Sequence, residues 1–133
     1  MAVKVMITDD HSLIREGLKQ LLELEGDFQV IAEACDGIDC MEKLKEQIPD
    51  VLLLDINMPV MDGFEVLRTM NTNHTIEDVP VIMISSDDSE EAIRKAYELG
   101  ASDYVNRPFD AKIVYRRVSN TIKLYAKQRR LVQ

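Results

Sequence analysis

Three aspartates stand where short apolar runs end. Asp9 and Asp10 follow Val3–Ile7 and Thr8, and Asp55 closes the run Val51-Leu52-Leu53-Leu54. Ser85 follows Val81–Ile84, and Arg107 follows Tyr104-Val105-Asn106. Carboxylates brought together repel one another unless a cation neutralises them. A hard divalent ion bound through oxygen suits such a group. Magnesium takes a few carboxylates, keeps waters and leaves positions for phosphoryl oxygens. A carboxylate can also attack phosphorus and form an acyl phosphate, provided the charge on the equatorial oxygens is neutralised. In that chemistry Asp55 is the nucleophile, because it heads a central apolar run and directly precedes a loop. Asp10 is the direct metal ligand from the first run, and Asp9 lies close to the ion or acts through water. Asn57 contributes its backbone carbonyl or its side chain, Ser85 a hydroxyl, and Arg107 a fixed positive charge. Taken singly, each has a plainer role: an aspartate at a strand end usually caps a helix or meets water. For Asp9 a capping role and direct metal contact both stay open.

The elements that must position these residues are legible in the apolar pattern. Val3–Ile7, Gln29–Ala32, Val51–Leu54, Val81–Ile84 and Ser102–Val105 read as strands. The third and fourth are almost continuously apolar, as suits strands covered on both faces; the second and fifth are weaker and are expected nearer the edges. Between them lie helical stripes: Leu13, Leu18, Leu21 and Leu22; Ile38, Met41, Leu44 and Ile48; Phe64, Leu67 and Met70; Ile93, Ala96, Tyr97 and Leu99; and Ile113, Val114, Val118, Ile122 and Tyr125. Ser12, Asp62, Asp88 (with Glu91) and Asp110 read as helix caps, and Gly26 and Gly100 as helix stops. The pattern is (βα)5, an α/β fold with helices on both faces of a parallel sheet. Ligands of such sheets collect beyond the carboxyl ends of the strands, where the aspartates fall.

Composition narrows the function classes. With 133 residues, one domain is expected, long enough for a hydrophobic core. The N-terminal apolar run is too short to span a bilayer or to act as a secretory signal, so no membrane role and a cytoplasmic location are expected. The two cysteines, Cys35 and Cys40, form no metal or redox motif with His11 or His74, and His11 reads as a surface residue or one just outside the acidic pair. Net charge is -8, unevenly placed: residues 1–109 carry 23 of the 24 acids and 9 of the 16 bases, and residues 110–133 one acid and seven bases. An acidic body is a poor generic nucleic-acid binder, so nucleic acid is not an expected partner of this domain. Metal cations and basic protein surfaces suit it better. The basic C-terminal segment reads as the end of a long last helix over 110–130, either solvated, with cations favouring the helix dipole, or in contact with a protein.

In their order and spacing, four groups of residues resemble the receiver domain of bacterial two-component response regulators, of the chemotaxis-regulator-like kind. They are Asp9-Asp10; Leu53-Leu54-Asp55-Ile56-Asn57-Met58-Pro59-Val60-Met61-Asp62-Gly63; Ser85; and Tyr104-Val105-Asn106-Arg107-Pro108-Phe109. The resemblance covers residues 3 to about 123, giving a receiver domain over 1–123 and a basic extension over 124–133, read as a linker to an output domain. It implies a doubly wound five-stranded sheet of order 2-1-3-4-5. It implies Asp55 as phospho-acceptor, with a sensor histidine kinase or phosphotransfer protein as donor. Magnesium, for which manganese can substitute, would be held by Asp10, Asp55 and the backbone oxygen of Asn57, aided by Asp9. Ser85 would move toward the phosphoryl group while Tyr104 changes its burial. Helix four, strand five and helix five would form the signalling face, with helices four and five a candidate homodimer surface. Asn57 and Asp87 occupy the positions that tune water access to the aspartyl phosphate, and the Arg107–Pro108 bond is expected to be cis.

One residue departs from the pattern: the family usually has lysine where this chain has Arg107. Arginine is a wider planar fork than the compact ammonium of lysine, yet it can still neutralise a phosphoryl oxygen. Phosphorylation is therefore expected to survive. Two other classes are weighed against this reading. A phosphorylation-independent adaptor with a degenerate site is the main alternative, kept alive by Arg107. A small metal-dependent phosphatase fits less well, because such enzymes usually carry a second aspartate two residues after the nucleophile, where this chain has Asn57. Self-phosphorylation and dephosphorylation would be the extent of its catalysis, with no external metabolite turned over. A flavin site is disfavoured, since Asp9 and Asp10 would repel the flavin phosphate.

Overall fold

The computed structural model describes residues 2–24, 26–107 and 110–132, with side chains for all of these except Ala111 and 127–132. The Arg107–Pro108 bond and the side chains of Lys127, Arg129, Arg130 and Leu131 lie outside the described residues.

Strands and helices alternate as the apolar pattern requires: β1 Val3–Thr8, α1 Ser12–Glu23, β2 Phe28–Ala34, α2 Gly37–Glu46, β3 Val51–Asp55, α3 Gly63–Thr72, β4 Val81–Ser85, α4 Glu90–Glu98, β5 Asp103–Asn106 and α5 Ala111–Val132. A 3-10 turn, Thr75–Glu77, precedes β4. The sheet is parallel, in the order β2-β1-β3-β4-β5. The two strands with the weakest apolar signal are its edges. In β2 the pairing with β1 slips between Val5 and Met6, where Val5 faces Val30 but Met6 faces Ala32. The extra residue breaks the two-residue alternation, which is why that strand is hard to delimit from its pattern.

Successive side chains of a strand point to opposite faces, and β3 divides accordingly. Leu52 and Leu54 join a core with Val66, Leu67 and Met70 of α3, Leu44 of α2 and Ala96 of α4. Val51 and Leu53 join a second core with Leu18 and Leu22 of α1 and Val114 and Val118 of α5. The sheet is thus buried on both sides. Cys40 is fully buried, and burial pushes its thiol up to about 11, well away from reactivity; Cys35 is exposed.

Some local expectations are corrected. His11, not Ser12, is the N-cap of α1, and it makes no side-chain capping bond. Ser89, not Asp88, caps α4, its hydroxyl accepting from Ala92 N–H. Both are shifts of one residue: at α4 two cap formers, Asp88 and Ser89, stand side by side, whereas at α1 the helix takes in Ser12 itself and begins without a side-chain cap. Leu13 and Ile48 are exposed rather than inward: Leu13 lies in the first turn of α1, and Ile48 lies beyond the end of α2, so neither can follow the helical stripe. The Asp62 cap holds, as a full capping box with Glu65, and the Asp110 carboxylate accepts from Lys112 N–H. Gly26 and Gly100 take left-handed φ after α1 and α4. α5 runs 22 residues, about 33 Å at helical rise.

Candidate functional site

The register of the sheet assembles the site. Thr8 pairs with Leu54, Asp55 with Ile84, and Ser85 with Asn106. The next residues along β1 and β5, Asp9 and Arg107, therefore arrive beside Asp55 and Ser85 at one edge. Backbone bonds fix them there: Asp9 N–H donates to Ala34 O at 3.0 Å and Arg107 N–H to Ser85 O at 2.8 Å. The loop after Asp55 folds back, with Gly63 N–H donating to Ile56 O at 2.9 Å. At Gly63 a Cβ would lie 2.5 Å from Asp55 O and 2.9 Å from the Ile56 Cα. Only glycine lets α3 begin so close behind β3.

The acidic groups do meet. Ligand atoms of Asp9, Asp10, His11 and Asp55 all lie within 4.8 Å of one another. Asp9 and Asp55 are buried, while Asp10 is exposed. The Asp9 carboxylate is divided between partners: Oδ2 accepts from Arg107 Nη2, and Oδ1 accepts from His11 N–H at 2.9 Å. The His11 Nδ1 stands 3.2 Å from Asp9 Oδ1 and 3.0 Å from Asp10 Oδ1. Arg107 Nη2 is 3.7 Å from Asp55 Oδ1. Its Nε is buried with no hydrogen-bond partner.

Burial raises the Asp55 carboxyl to about 6, and the Asp9 charge pushes the same way; the Arg107 charge and the Asn57 N–H oppose this only in part. The Arg107 charge alone thus does not offset the burial of Asp55 and the neighbouring charges of Asp9 and Asp10. Oxygen donors, mutual repulsion and an open mouth at Asp10 are what a hard divalent cation requires, so the residues present fit one.

The remaining predicted residues form a second layer of contacts. Ser85 is fully buried, and its hydroxyl accepts from Asp87 N–H at 3.0 Å. Tyr104 is buried, and its phenol donates to Asp87 O at 2.6 Å. The Asp87 backbone is therefore shared by both. Its carboxylate accepts from Ser89 N–H, which lowers its proton affinity. Asn57 is exposed in the loop after β3.

His11, read as a surface residue or one just outside the acidic pair, is exposed, with its Nδ1 against the carboxylates of Asp9 and Asp10. One participant escaped the sequence reading. Arg15 Nη1 donates to Asp9 O at 2.6 Å while its Nε lies 3.4 Å from Glu33 Oε1, tying the Asp9 loop to α1 and β2. Its place in the first turn of α1, directly after the loop that carries the acidic pair, was a signal; its partner Glu33 depended on the slipped β2 register.

Comparison with known proteins agrees with this geometry. The model of the response regulator receiver domain matches residues 5–119, and the chain belongs to that family. It is 36% identical over 116 residues to the transcriptional regulatory protein DegU of Brevibacillus brevis, covering 87% of this chain and 48% of that protein. It is 43% identical over 108 residues to a protein-glutamate methylesterase/protein-glutamine glutaminase of Caldanaerobacter subterraneus, covering 80% of this chain and 29% of that one. The chain thus spans about half the length, or less, of the curated relatives it matches. Among solved structures, the signal receiver domain of the response regulator NarL from Mycobacterium tuberculosis superposes with a TM-score of 0.86 at 33% identity, over 92% of this chain and 97% of that one.

Proposed function

We propose that this receiver accepts a phosphoryl group on Asp55 from the phosphohistidine of a sensor histidine kinase or phosphotransfer protein. An Asp55 carboxylate oxygen attacks phosphorus, the P–N bond breaks, and the leaving imidazole nitrogen keeps the electron pair. A bound divalent cation, Mg2+ with Mn2+ as a substitute, supplies positive charge to the phosphoryl oxygens. Asp10, Asp55 and the Asn57 backbone carbonyl would hold it, with Asp9 in direct contact or through water. Arg107, whose Nη2 stands 3.7 Å from Asp55 Oδ1, carries the fixed charge. Ser85 gives a hydroxyl to a phosphoryl oxygen by releasing Asp87 N–H. Because Tyr104 holds the same Asp87 backbone, that exchange reaches the face formed by α4, β5 and α5. Asn57 and Asp87 flank the acceptor and tune water attack on the aspartyl phosphate.

The observation that carries this reading is the meeting of three carboxylates and Arg107 at the carboxyl edge of the sheet, with the Asp55 carboxyl raised to about 6. Residues 1–123 form the phospho-accepting unit, and 124–133 lead the last helix toward an output domain. α4 and α5 would be the homodimer surface. Intact-mass measurement with Mg2+ and a small acyl phosphodonor tests the acceptor. Wild type is expected to gain one phosphoryl adduct and Asp55→Asn none. An unmodified wild type under conditions that label another receiver would overturn the reading. Partner binding indifferent to phosphorylation and to Asp55→Asn would point instead to an adaptor. Among the described residues no helix is long and apolar enough to cross a membrane.

A further inference from the structure

Away from the carboxylates, the two helices on one face of the sheet leave a groove between them. α1 and α5 both pack on the core that holds Leu18, Leu22, Val114 and Val118, but their outer flanks stay apart. Leu21, Leu24 and Tyr115 line a hollow of about 670 Å3, and Lys112, Arg116 and Lys123 line it from α5. Leu24 is 80% exposed. A lone exposed leucine is ordinary; this one stands in a concave wall beside two further apolar groups. The wall is preformed, because the Tyr115 ring packs edge-on against Phe28, with centroids 4.9 Å apart, and its phenol donates to the Asp27 carboxylate. No acid lines the groove. Arg15, Lys43 and Arg117 are paired with Glu33, Asp39 and Asp103. Lys112, Arg116 and Lys123 enter no ion pair among the described residues. In a chain of net charge -8, the groove is a local reversal of sign.

We propose that the groove between α1 and α5 docks an acidic amphipathic helix of a partner protein. Charge complementarity carries the choice of occupant. An apolar stripe on the incoming helix would cover Leu21, Leu24 and Tyr115, and carboxylates on its flank would meet the three cations. The dimensions agree: Lys112 and Lys123 are 11 residues apart in α5, about 17 Å at helical rise, or roughly three turns of a partner helix. Other occupants fit less well. A second copy related by a two-fold axis would set the same cations against themselves, and like charges facing one another oppose association. A lipid surface is flat and does not reach a floor recessed between two helices. Nucleic acid is held by neutralising many phosphates, and the acidic body around these three cations works against that. None of the groove residues belongs to the cluster around Asp55, so the docking surface is separate from the phosphoryl chemistry.

The test is fluorescence anisotropy of the whole chain with a labelled synthetic helix of about 14 residues, bearing leucine every three or four positions and glutamate on one flank. The control peptide has the same composition in scrambled order. Binding of the patterned peptide at least about tenfold tighter than the scrambled one is expected. Arg116→Glu and Leu24→Ser should each weaken it at least about fivefold, while Arg68→Glu, the same charge change on exposed α3, should alter it less than about twofold. Circular dichroism checks that each variant is folded; both groove positions are exposed, so the core is untouched. In amide NMR the peptide should shift Leu21, Leu24, Tyr115 and Lys123. Equal binding of the two peptides, or indifference to Leu24→Ser, would show general attraction between charges and overturn the proposal. Shifts centred on Tyr97 and Arg117 instead would place the helix on the α4–α5 side and overturn it too. Two further arms give the groove to another occupant: self-association in sedimentation that Arg116→Glu abolishes, or retention on phosphatidylserine vesicles that it abolishes. Either result overturns docking of an acidic helix.

Discussion

At the scale of single residues, the fold holds Asp55 against its own charge. Its carboxyl is raised to about 6 from an ordinary 3.8 by burial and by Asp9. Between those values the folded chain keeps a proton that the unfolded chain has released. Stability without metal therefore falls as pH rises from 3.8 toward 6, and the penalty is complete above 6. Asp55→Asn removes the charge, so it should stabilise the metal-free protein at pH 7 by about 1–2 kcal/mol, discounted for water at the mouth of the site. The gain should vanish below the unfolded carboxyl range. Urea denaturation across pH with a chelator present measures it, and a gain independent of pH would refute the burial argument. Val60 is a second local strain: a β-branched residue at φ 68 in the loop after Asp55. Such a residue is a steric outlier there, so Val60→Gly should raise stability by roughly 1 kcal/mol. Because Val60 is exposed, no packing is lost with its side chain.

At the scale of elements, α3 and β3 are locked together. The capping box of Asp62 and Glu65 starts the helix, and Gly63 lets that start sit against Asp55 O. Asp62→Ala should lower stability by about 1 kcal/mol without moving the site. Gly63→Ala is a different matter, because the added methyl meets backbone that cannot rotate away. It should destabilise by about 1–3 kcal/mol, as overpacking does, and shift the amide resonances of Asp55 and Ile56 in NMR. Equal effects of the two substitutions would mean that the loop, rather than the contact, sets the position of Asp55. The bond from Tyr104 to Asp87 O works at the same scale, since it joins β5 to the segment that leads into α4.

For the whole molecule, the sheet separates two cores. Leu67 of α3 belongs to one and Leu22 of α1 to the other, and both are fully buried. Each change to Ala should lower stability by about 2–5 kcal/mol, and the double variant should equal the sum within about 0.5 kcal/mol, because no cavity is shared. A larger coupling in chemical denaturation would show the sheet transmitting strain between its faces. Charge is also distributed over the whole molecule, with 23 of the 24 acids ahead of residue 110 and seven of the 16 bases in α5.

The sequence by itself determined the alternation of strands and helices, the central place of β3 and β4, and the set of chemical groups at one edge. Two-residue and helical periods are local, so Val51–Leu54 and the stripes around Leu67 and Leu22 announce their elements without help from the rest of the chain. Edges and caps are less local: β2 slips by one residue against β1, and the neighbouring cap formers Asp88 and Ser89 compete on nearly equal terms. Only the tertiary structure decided that His11 joins the carboxylates, that Arg107 grips Asp9 before Asp55, and that Asp87 lends its backbone to both Ser85 and Tyr104. Those pairings join residues from different strands and loops, and they depend on parallel register and on how each loop folds over the sheet edge, which no spacing within a single segment encodes.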